Sequence, residues 1–105
     1  MKVYGVAYTR GARENILELT EYIAEKSSRR IASRYIASLV RECESLRNAP
    51  QRGTKRQDLR PNMRVIGYKR AVSIVFRVEE EESIVVILGF SYRGHSFDRI
   101  LERDE

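Results

Sequence analysis

The spacing of hydrophobic residues divides the first half of the chain into one strand and two helices. Val3 to Tyr8 is a short run rich in valine and tyrosine, which predicts a first strand. From Ala12 onward apolar residues recur every three or four positions, which predicts an amphipathic helix with Thr9 as its N-cap. A second stripe of the same period follows Ser28, the predicted cap of a second helix, and ends before Pro50. Because few residues connect them, the two helices should be antiparallel neighbours.

The second half of the chain changes to the period of two that is typical of strands. Lys69-Arg70 predicts a tight connection between the first two of these strands, and residues 79–83 predict a turn before the third. The third is apolar on both faces, which indicates an interior strand, and the tail from Arg93 to Leu101 is expected to turn helical. The predicted strands are Met63 to Tyr68, Ala71 to Val78, and Ile84 to Leu88 with a continuation towards Tyr92.

The element order is therefore β-α-α-β-β-β, which predicts an α+β fold. We expect an antiparallel sheet with the helical hairpin packed on one face, because both helical stripes need an apolar surface to bury. The length of 105 residues and the absence of a linker or repeat favour a single domain over residues 1–105.

Composition narrows the chemistry. With one cysteine, Cys43, and one histidine, His95, the chain cannot form an internal disulfide and is a poor candidate for structural zinc. Cys43 lies on the apolar stripe of the second helix, which predicts a buried thiol. The N-terminus lacks the apolar stretch of a signal peptide, and no apolar run is long enough to span a membrane. We therefore expect a cytoplasmic protein that contacts no membrane and needs no cofactor.

The formal charge of +5 is concentrated between Arg52 and Arg70, where seven basic residues accompany one carboxylate, Asp58. A charge run is often only a solvated loop. The alternative is a docking surface for an anionic partner, either nucleic acid or an acidic protein face, because Arg64 and Arg77 lie on strands that hold guanidinium groups in a fixed geometry. The candidate partner-binding residues are Lys55, Arg56, Arg60, Arg64, Arg70, Arg77 and Arg93.

A second polar group follows the last strand, where Tyr92, Arg93 and His95 lie close together in sequence. Cleavage of a phosphodiester requires groups that move protons and a cation that holds the phosphate. Tyr92 or His95 would serve the first role, and Arg64, Arg77 or Arg93 the second. A surface histidine without function is the competing interpretation. The run Glu79 to Glu82 lacks the spacing of a cation-binding loop and indicates a solvated turn.

Taken together, these motifs resemble the ParE/RelE toxin superfamily, particularly its ParE branch. The resemblance is carried by the segment from Leu59 to Arg70 followed by Val75-Phe76-Arg77-Val78, and by Ile87 to His95 leading to Ile100-Leu101. It covers nearly the whole chain, and the order and spacing of the pieces are more specific than any single piece.

The resemblance implies the toxin of a bacterial type II toxin–antitoxin pair. ParE-like toxins poison DNA gyrase and are held inactive by an antitoxin whose C-terminal segment wraps the toxin; RelE-like relatives cleave mRNA on the ribosome. RNA-cleaving relatives often place a tyrosine in the tail, where this chain has Phe97, so the resemblance favours a gyrase inhibitor without catalytic residues. We expect an acidic antitoxin segment and a toxin–antitoxin hetero-oligomer. The alternatives are an mRNA endonuclease using Arg64, Arg77, Tyr92, Arg93 and His95, and a non-toxic nucleic-acid-binding domain.

Overall fold

The α+β fold predicted from the sequence is confirmed in a computed structural model, which describes residues 2–104. The first helix begins where Thr9 accepts a hydrogen bond from the backbone N–H of Ala12, and the second where Ser28 accepts one from Ile31, as predicted. The elements are β1 (Gly5–Tyr8), α1 (Arg10–Lys26), α2 (Arg29–Ser45), β2 (Thr54–Lys55), β3 (Met63–Tyr68), β4 (Val72–Glu79), β5 (Ile84–Tyr92) and α3 (Asp98–Arg103).

The sheet is mixed rather than wholly antiparallel, which corrects the prediction for β1. The strand order is β1-β5-β4-β3-β2, and β3, β4 and β5 form the predicted antiparallel meander. β1 pairs in parallel with β5, with Gly5 opposite Ile84 and Tyr8 opposite Ile87. A strand pattern does not contain the identity of a partner almost 80 residues away, so the direction of this pairing was not visible in the sequence. The two-residue strand β2 was also missed; it lies inside residues 51–62, the part of the basic run before β3, which we call the basic loop.

The turn between β3 and β4 forms as predicted. Lys69 and Arg70 both have positive φ angles, 49° and 58°, which matches the backbone of a two-residue hairpin turn whose twist suits the flanking strands. This hairpin and the end of β5 lie at one end of the sheet, and the β4–β5 turn lies at the other. We call the first the hairpin end.

The helical hairpin covers one sheet face and α3 covers part of the other. Leu19 of α1 and Leu39 of α2 pack on Ile74, Phe76 and the other residues of the main core. On the opposite face Ile100 and Leu101 of α3 pack with Met63, Val75 and Leu88. The expected helical tail is therefore confirmed, and β4 is buried on both faces.

A β-bulge in β5 keeps its apolar residues aimed at the helical hairpin. Val75 lies opposite Gly89 but Phe76 lies opposite Ile87, so Leu88 is the extra residue. Without it Ile87 and Phe90, three positions apart, would point to opposite faces, whereas both belong to the main core. The buried Asn15 side chain of α1 accepts a 2.6 Å hydrogen bond from the Phe90 N–H beside the bulge.

Candidate binding site

Arg64 is buried beneath the loop that follows α2. It lies opposite Phe76 in the β3–β4 pair and therefore on the face covered by the helical hairpin. The residue is only 9% exposed, and its Nη2 donates a 2.8 Å hydrogen bond to the carbonyl oxygen of Gln51. This arginine fastens the α2–β2 loop to the sheet, and little of its guanidinium is left for a partner.

Arg77 lies on the opposite face of the sheet from Arg64. Its Nε contacts the Glu79 carboxylate at 2.8 Å, and its Nη1 lies 3.4 Å from the Asp104 carboxylate after α3. This double pairing connects β4 to the end of α3. The two arginines proposed to clamp one phosphate therefore cannot approach the same group.

The candidate partner-binding residues between Arg52 and Arg70 lie in several places instead of forming one patch. Arg56 makes a bidentate ion pair with Asp58 at 3.0 Å and stacks 5.7 Å from the Phe97 ring. Arg60 donates to the carbonyl of Leu59, and Lys55 is exposed on β2. Arg70 belongs to the hairpin end, far along β3 from Lys55. Only some of the predicted partner-binding residues can therefore face one partner.

Aromatic rings and cations converge at the hairpin end. Tyr22 of α1 lies 5.5 Å from Tyr92 of β5, and Tyr92 lies 5.5 Å from the His95 ring. The Arg93 guanidinium stacks 4.9 Å from the Tyr22 ring, and Lys26 lies 5.9 Å from the same ring. Because these two cations lie over the Tyr22 ring, the aromatic surface at the hairpin end is bordered by positive charge. The sequence grouping of Tyr92, Arg93 and His95 is thus also a spatial grouping.

Next to these rings lies an apolar groove of about 320 Å³ between the helical hairpin and the sheet. It lies where the C-terminal part of α1 and the first turns of α2 face the start of β4 and the end of β5. We call it the apolar groove; its lining residues are Leu19, Tyr22, Ile23, Tyr35, Ala71, Val72, Tyr92 and Arg93. The apolar groove is thus an apolar surface with a cation, Arg93, at its rim.

Beyond Tyr35 a second groove of about 500 Å³ runs along the outside of α2. It carries three cations and no acidic residue, and we call it the basic groove; its lining residues are Ile31, Arg34, Tyr35, Ala37, Ser38, Arg41 and Lys69. The Lys69 ammonium lies 5.8 Å from the Tyr35 ring and 5.3 Å from the Tyr68 ring, which brings the β3–β4 turn against α2. Tyr35 lines both grooves and forms the wall between them.

The sequence prediction missed the basic groove. Arg34 and Arg41 look like ordinary solvent-facing helix residues, and Lys69 looks like a turn residue. The available signal was the spacing of seven between the two arginines, which places them on one helix face two turns apart, with the small residues Ala37 and Ser38 between them. Their convergence with Lys69 depends on tertiary packing.

Burial favours the neutral form of two tyrosines of this site, Tyr92 and Tyr35. Burial is the main reason that the pKa of Tyr92 is raised above its usual range, and Glu18 adds to the effect. Burial likewise raises the pKa of Tyr35. A phenol that resists ionisation is a poor general base near neutral pH, although it remains a hydrogen-bond donor and an apolar ring.

Metal and thiol chemistry find no support in the described part of the chain. Residues 2–104 contain no group of three or more His, Cys, Asp or Glu side chains placed to hold a metal ion. Glu80 of the acidic turn instead accepts hydrogen bonds from Tyr4 and Gln51. Cys43 is buried as predicted, and that burial raises its pKa to about 12. None of the helices described has the length and apolar character needed to cross a bilayer.

Comparisons with known proteins connect this geometry to one family. A family model described as the ParE toxin of the type II toxin–antitoxin system parDE matches residues 6–97. A comparison with curated protein sequences gave no match.

Solved structures with the same fold include three toxins or toxin–antitoxin assemblies. The RelBE2 complex of Mycobacterium tuberculosis has a TM-score of 0.67 at 22% identity, covering 90% of this chain and 97% of the other. The chromosomal ParDE system of Pseudomonas aeruginosa has a TM-score of 0.73 at 19% identity, covering 86% and 96%. A doubly substituted form of the Escherichia coli toxin RelE in the free state has a TM-score of 0.68 at 12% identity, covering 96% and 93%.

Proposed function

Because the chain belongs to the ParE toxin family of type II toxin–antitoxin systems, we propose that it acts in the cytoplasm as a stoichiometric inhibitor of DNA gyrase. In this proposal the protein has no cofactor and no turnover of its own. It blocks replication by adhering to gyrase through the exposed surface of the hairpin end. A cognate antitoxin holds it inactive until the antitoxin is lost.

The observation that carries the proposal is the separation of two of the three candidate phosphate-binding arginines from each other and from Tyr92. Arg64 and Arg77 lie on opposite faces of the sheet and are occupied by Gln51 and by Glu79 and Asp104. Along β4, the partners of Arg64 and Tyr92 are four residues apart, which is about 13 Å at the rise of a strand. A phosphate held by either arginine would therefore lie far from the hydroxyl of Tyr92.

The apolar groove supports the antitoxin half of the proposal. Its rings and aliphatic side chains would bury apolar anchors of a partner, and Arg93 at its rim would pair with partner carboxylates. An acidic, partly disordered segment that orders on binding fits such a surface, because its charge complements the rim and its apolar residues supply the buried area. The similar RelBE2 and ParDE structures are of toxin–antitoxin systems, which favours a hetero-oligomer here as well.

A gyrase supercoiling assay with the purified protein tests the target. We expect supercoiling to fall as the toxin approaches the gyrase concentration, with no cleavage of mRNA in a parallel assay on ribosomes. The cognate antitoxin should restore supercoiling. Intact supercoiling at excess toxin, together with mRNA cleavage on ribosomes, would reject the proposal in favour of the second candidate function.

That second candidate is a ribosome-dependent mRNA endonuclease, and the cluster of Tyr92, Arg93 and His95 is the observation that favours it. The discriminating variant is Tyr92→Phe combined with His95→Ala, because it removes the hydroxyl and the imidazole while keeping the ring in the apolar groove. A gyrase inhibitor should retain most of its toxicity, whereas an endonuclease that uses these groups should lose it. Tyr22→Phe is the matched control, since it removes a neighbouring hydroxyl outside that group.

A further inference from the structure

We propose that one continuous antitoxin segment occupies both grooves, crossing Tyr35 so that its apolar side chains lie in the apolar groove and its carboxylates lie in the basic groove. This inference rests on the proposed antitoxin, and it adds where the acidic part of that segment binds. It assigns Arg34, Arg41 and Lys69, rather than the predicted basic loop, as the residues that receive the carboxylates.

The first argument is charge. Within the part of the chain that the structure describes, Arg34, Arg41 and Lys69 have no ion-pair partner, and no acidic residue lines their groove. Two arginines of the basic loop and one of β4 differ in this respect, since Arg52, Arg56 and Arg77 are each paired with a carboxylate of the same chain. Unpaired cations that face a common groove attract an anionic partner more strongly than cations already neutralised.

The second argument is continuity. Tyr35 lines both grooves, and Lys69 stacks on its outer side. A chain that fills the apolar groove can reach the basic groove by crossing this single ring. Tyrosine is suited to such a crossing because its ring packs against apolar groups on one side while cations lie on the other.

The third argument combines the spacing of the arginines with an aliphatic neighbour, which together favour a peptide over a nucleic acid. Arg34 and Arg41 are seven residues apart, about 10 Å along the helix axis. An extended peptide directs side chains i and i+2 to one face about 7 Å apart, and i and i+4 about 13 Å apart, so carboxylates at either spacing can reach both flexible guanidinium groups. Ile31, which is 51% exposed beside Arg34, offers an aliphatic contact that a phosphate backbone cannot use but a peptide side chain can.

Thiol protection tests occupancy of the basic groove directly. Ala37 is exposed on the groove floor, and the single native cysteine, Cys43, is fully buried, so Ala37→Cys introduces one reactive thiol. We expect full-length antitoxin, encoded beside the toxin gene, to slow maleimide labelling of the Ala37→Cys thiol at least tenfold. Glu82→Cys, in the turn at the far end of the sheet, is the matched control and should label at the same rate with and without antitoxin.

Charge reversal tests the role of the arginines. We expect Arg34→Glu combined with Arg41→Glu to weaken antitoxin affinity at least tenfold at 0.1 M salt. Arg10→Glu combined with Arg13→Glu makes the same change in net charge at the exposed N-terminus of α1 and should weaken affinity less than threefold. Circular dichroism confirms that both double variants are folded.

The outcomes separate this inference from the proposed function. Antitoxin that binds while the Ala37→Cys thiol stays fully reactive overturns the inference alone, as does an equal loss of affinity in the two double variants. A single-stranded oligonucleotide that protects the Ala37→Cys thiol when antitoxin does not also overturns it. A wild-type protein that forms no complex with antitoxin overturns the proposed antitoxin binding, and the inference with it.

Discussion

Arginines that look alike in the sequence have different roles in the structure, and burial decides which role each has. Arg64 and Arg70 both lie in the basic run and both resembled partner-binding residues. Arg64 is 9% exposed and bonds the Gln51 carbonyl, whereas Arg70 is exposed at the β3–β4 turn. The strand pattern correctly located Arg64 on β3. Its burial follows from the loop after α2 folding over it, which no local pattern contains.

We therefore predict that Arg64→Ala destabilises the protein. Loss of the buried, charge-assisted bond to Gln51 and of the packed side chain should lower the free energy of unfolding by about 2 kcal/mol. Urea denaturation followed by circular dichroism should show a lower midpoint with an unchanged slope. Arg70→Ala serves as the control and should shift the free energy by less than about 0.5 kcal/mol, as exposed substitutions usually do. Equal midpoints for the two variants would contradict the structural role of Arg64.

Elements were predictable to the extent that their signals are local. The caps at Thr9 and Ser28, the strand Met63–Tyr68 and the turn at Lys69-Arg70 were all predicted from residues within a few positions of one another. The parallel pairing of β1 was not, because it depends on a partner at the other end of the chain. The β5 bulge was missed for a related reason. It turns Phe90 towards the face covered by α1 and α2, and these helices are distant in sequence.

The contact between α3 and the bulge yields a prediction for Gly89. A Cβ at this position would lie 2.9 Å from Cγ2 of Ile100 and 3.1 Å from Oδ1 of Asn15, closer than side-chain contacts normally allow. Gly89→Ala should therefore push α3 and α1 away from β5 and lower the free energy of unfolding by about 1–3 kcal/mol. Urea denaturation measures the change.

Gly67→Ala is the matched control for that prediction, since it makes the same substitution in a strand of the same sheet. A Cβ at Gly67 meets no atom within 4 Å, so the free energy of unfolding should change by less than about 0.5 kcal/mol. If Gly89→Ala proved as harmless as Gly67→Ala, α3 would not be packed against β5 as described.

Considered as a whole, the molecule carries its excess positive charge at one end. Exposed cations at the end of α1, the start of α2 and the β3–β4 turn lie at the hairpin end, whereas at the opposite end the cations of the basic loop lie near the acidic run from Glu79 to Glu82. The net charge of +5 was evident from composition, but the direction of this asymmetry was not. It arises because the helical hairpin and the β3–β4 hairpin direct their turns and nearby helix residues to the same end.

This asymmetry predicts that association with an acidic partner depends on where a charge is reversed. The molecule is 41 Å long, several times the screening length of about 10 Å at 0.1 M salt, so a distant charge contributes little to steering. Arg30→Glu, at the start of α2, should slow association with antitoxin by about threefold to tenfold at 50 mM salt. Arg13→Glu makes the same charge change about 20 Å from the C-terminal end of α1 and should have a much smaller effect. Stopped-flow rates at 50 mM and 500 mM salt measure both. Because salt screens long-range attraction first, the association rates of the two variants should converge on the wild-type rate at 500 mM. A difference of the same size at both salt concentrations would mean that Arg30 contacts the partner directly instead of steering it.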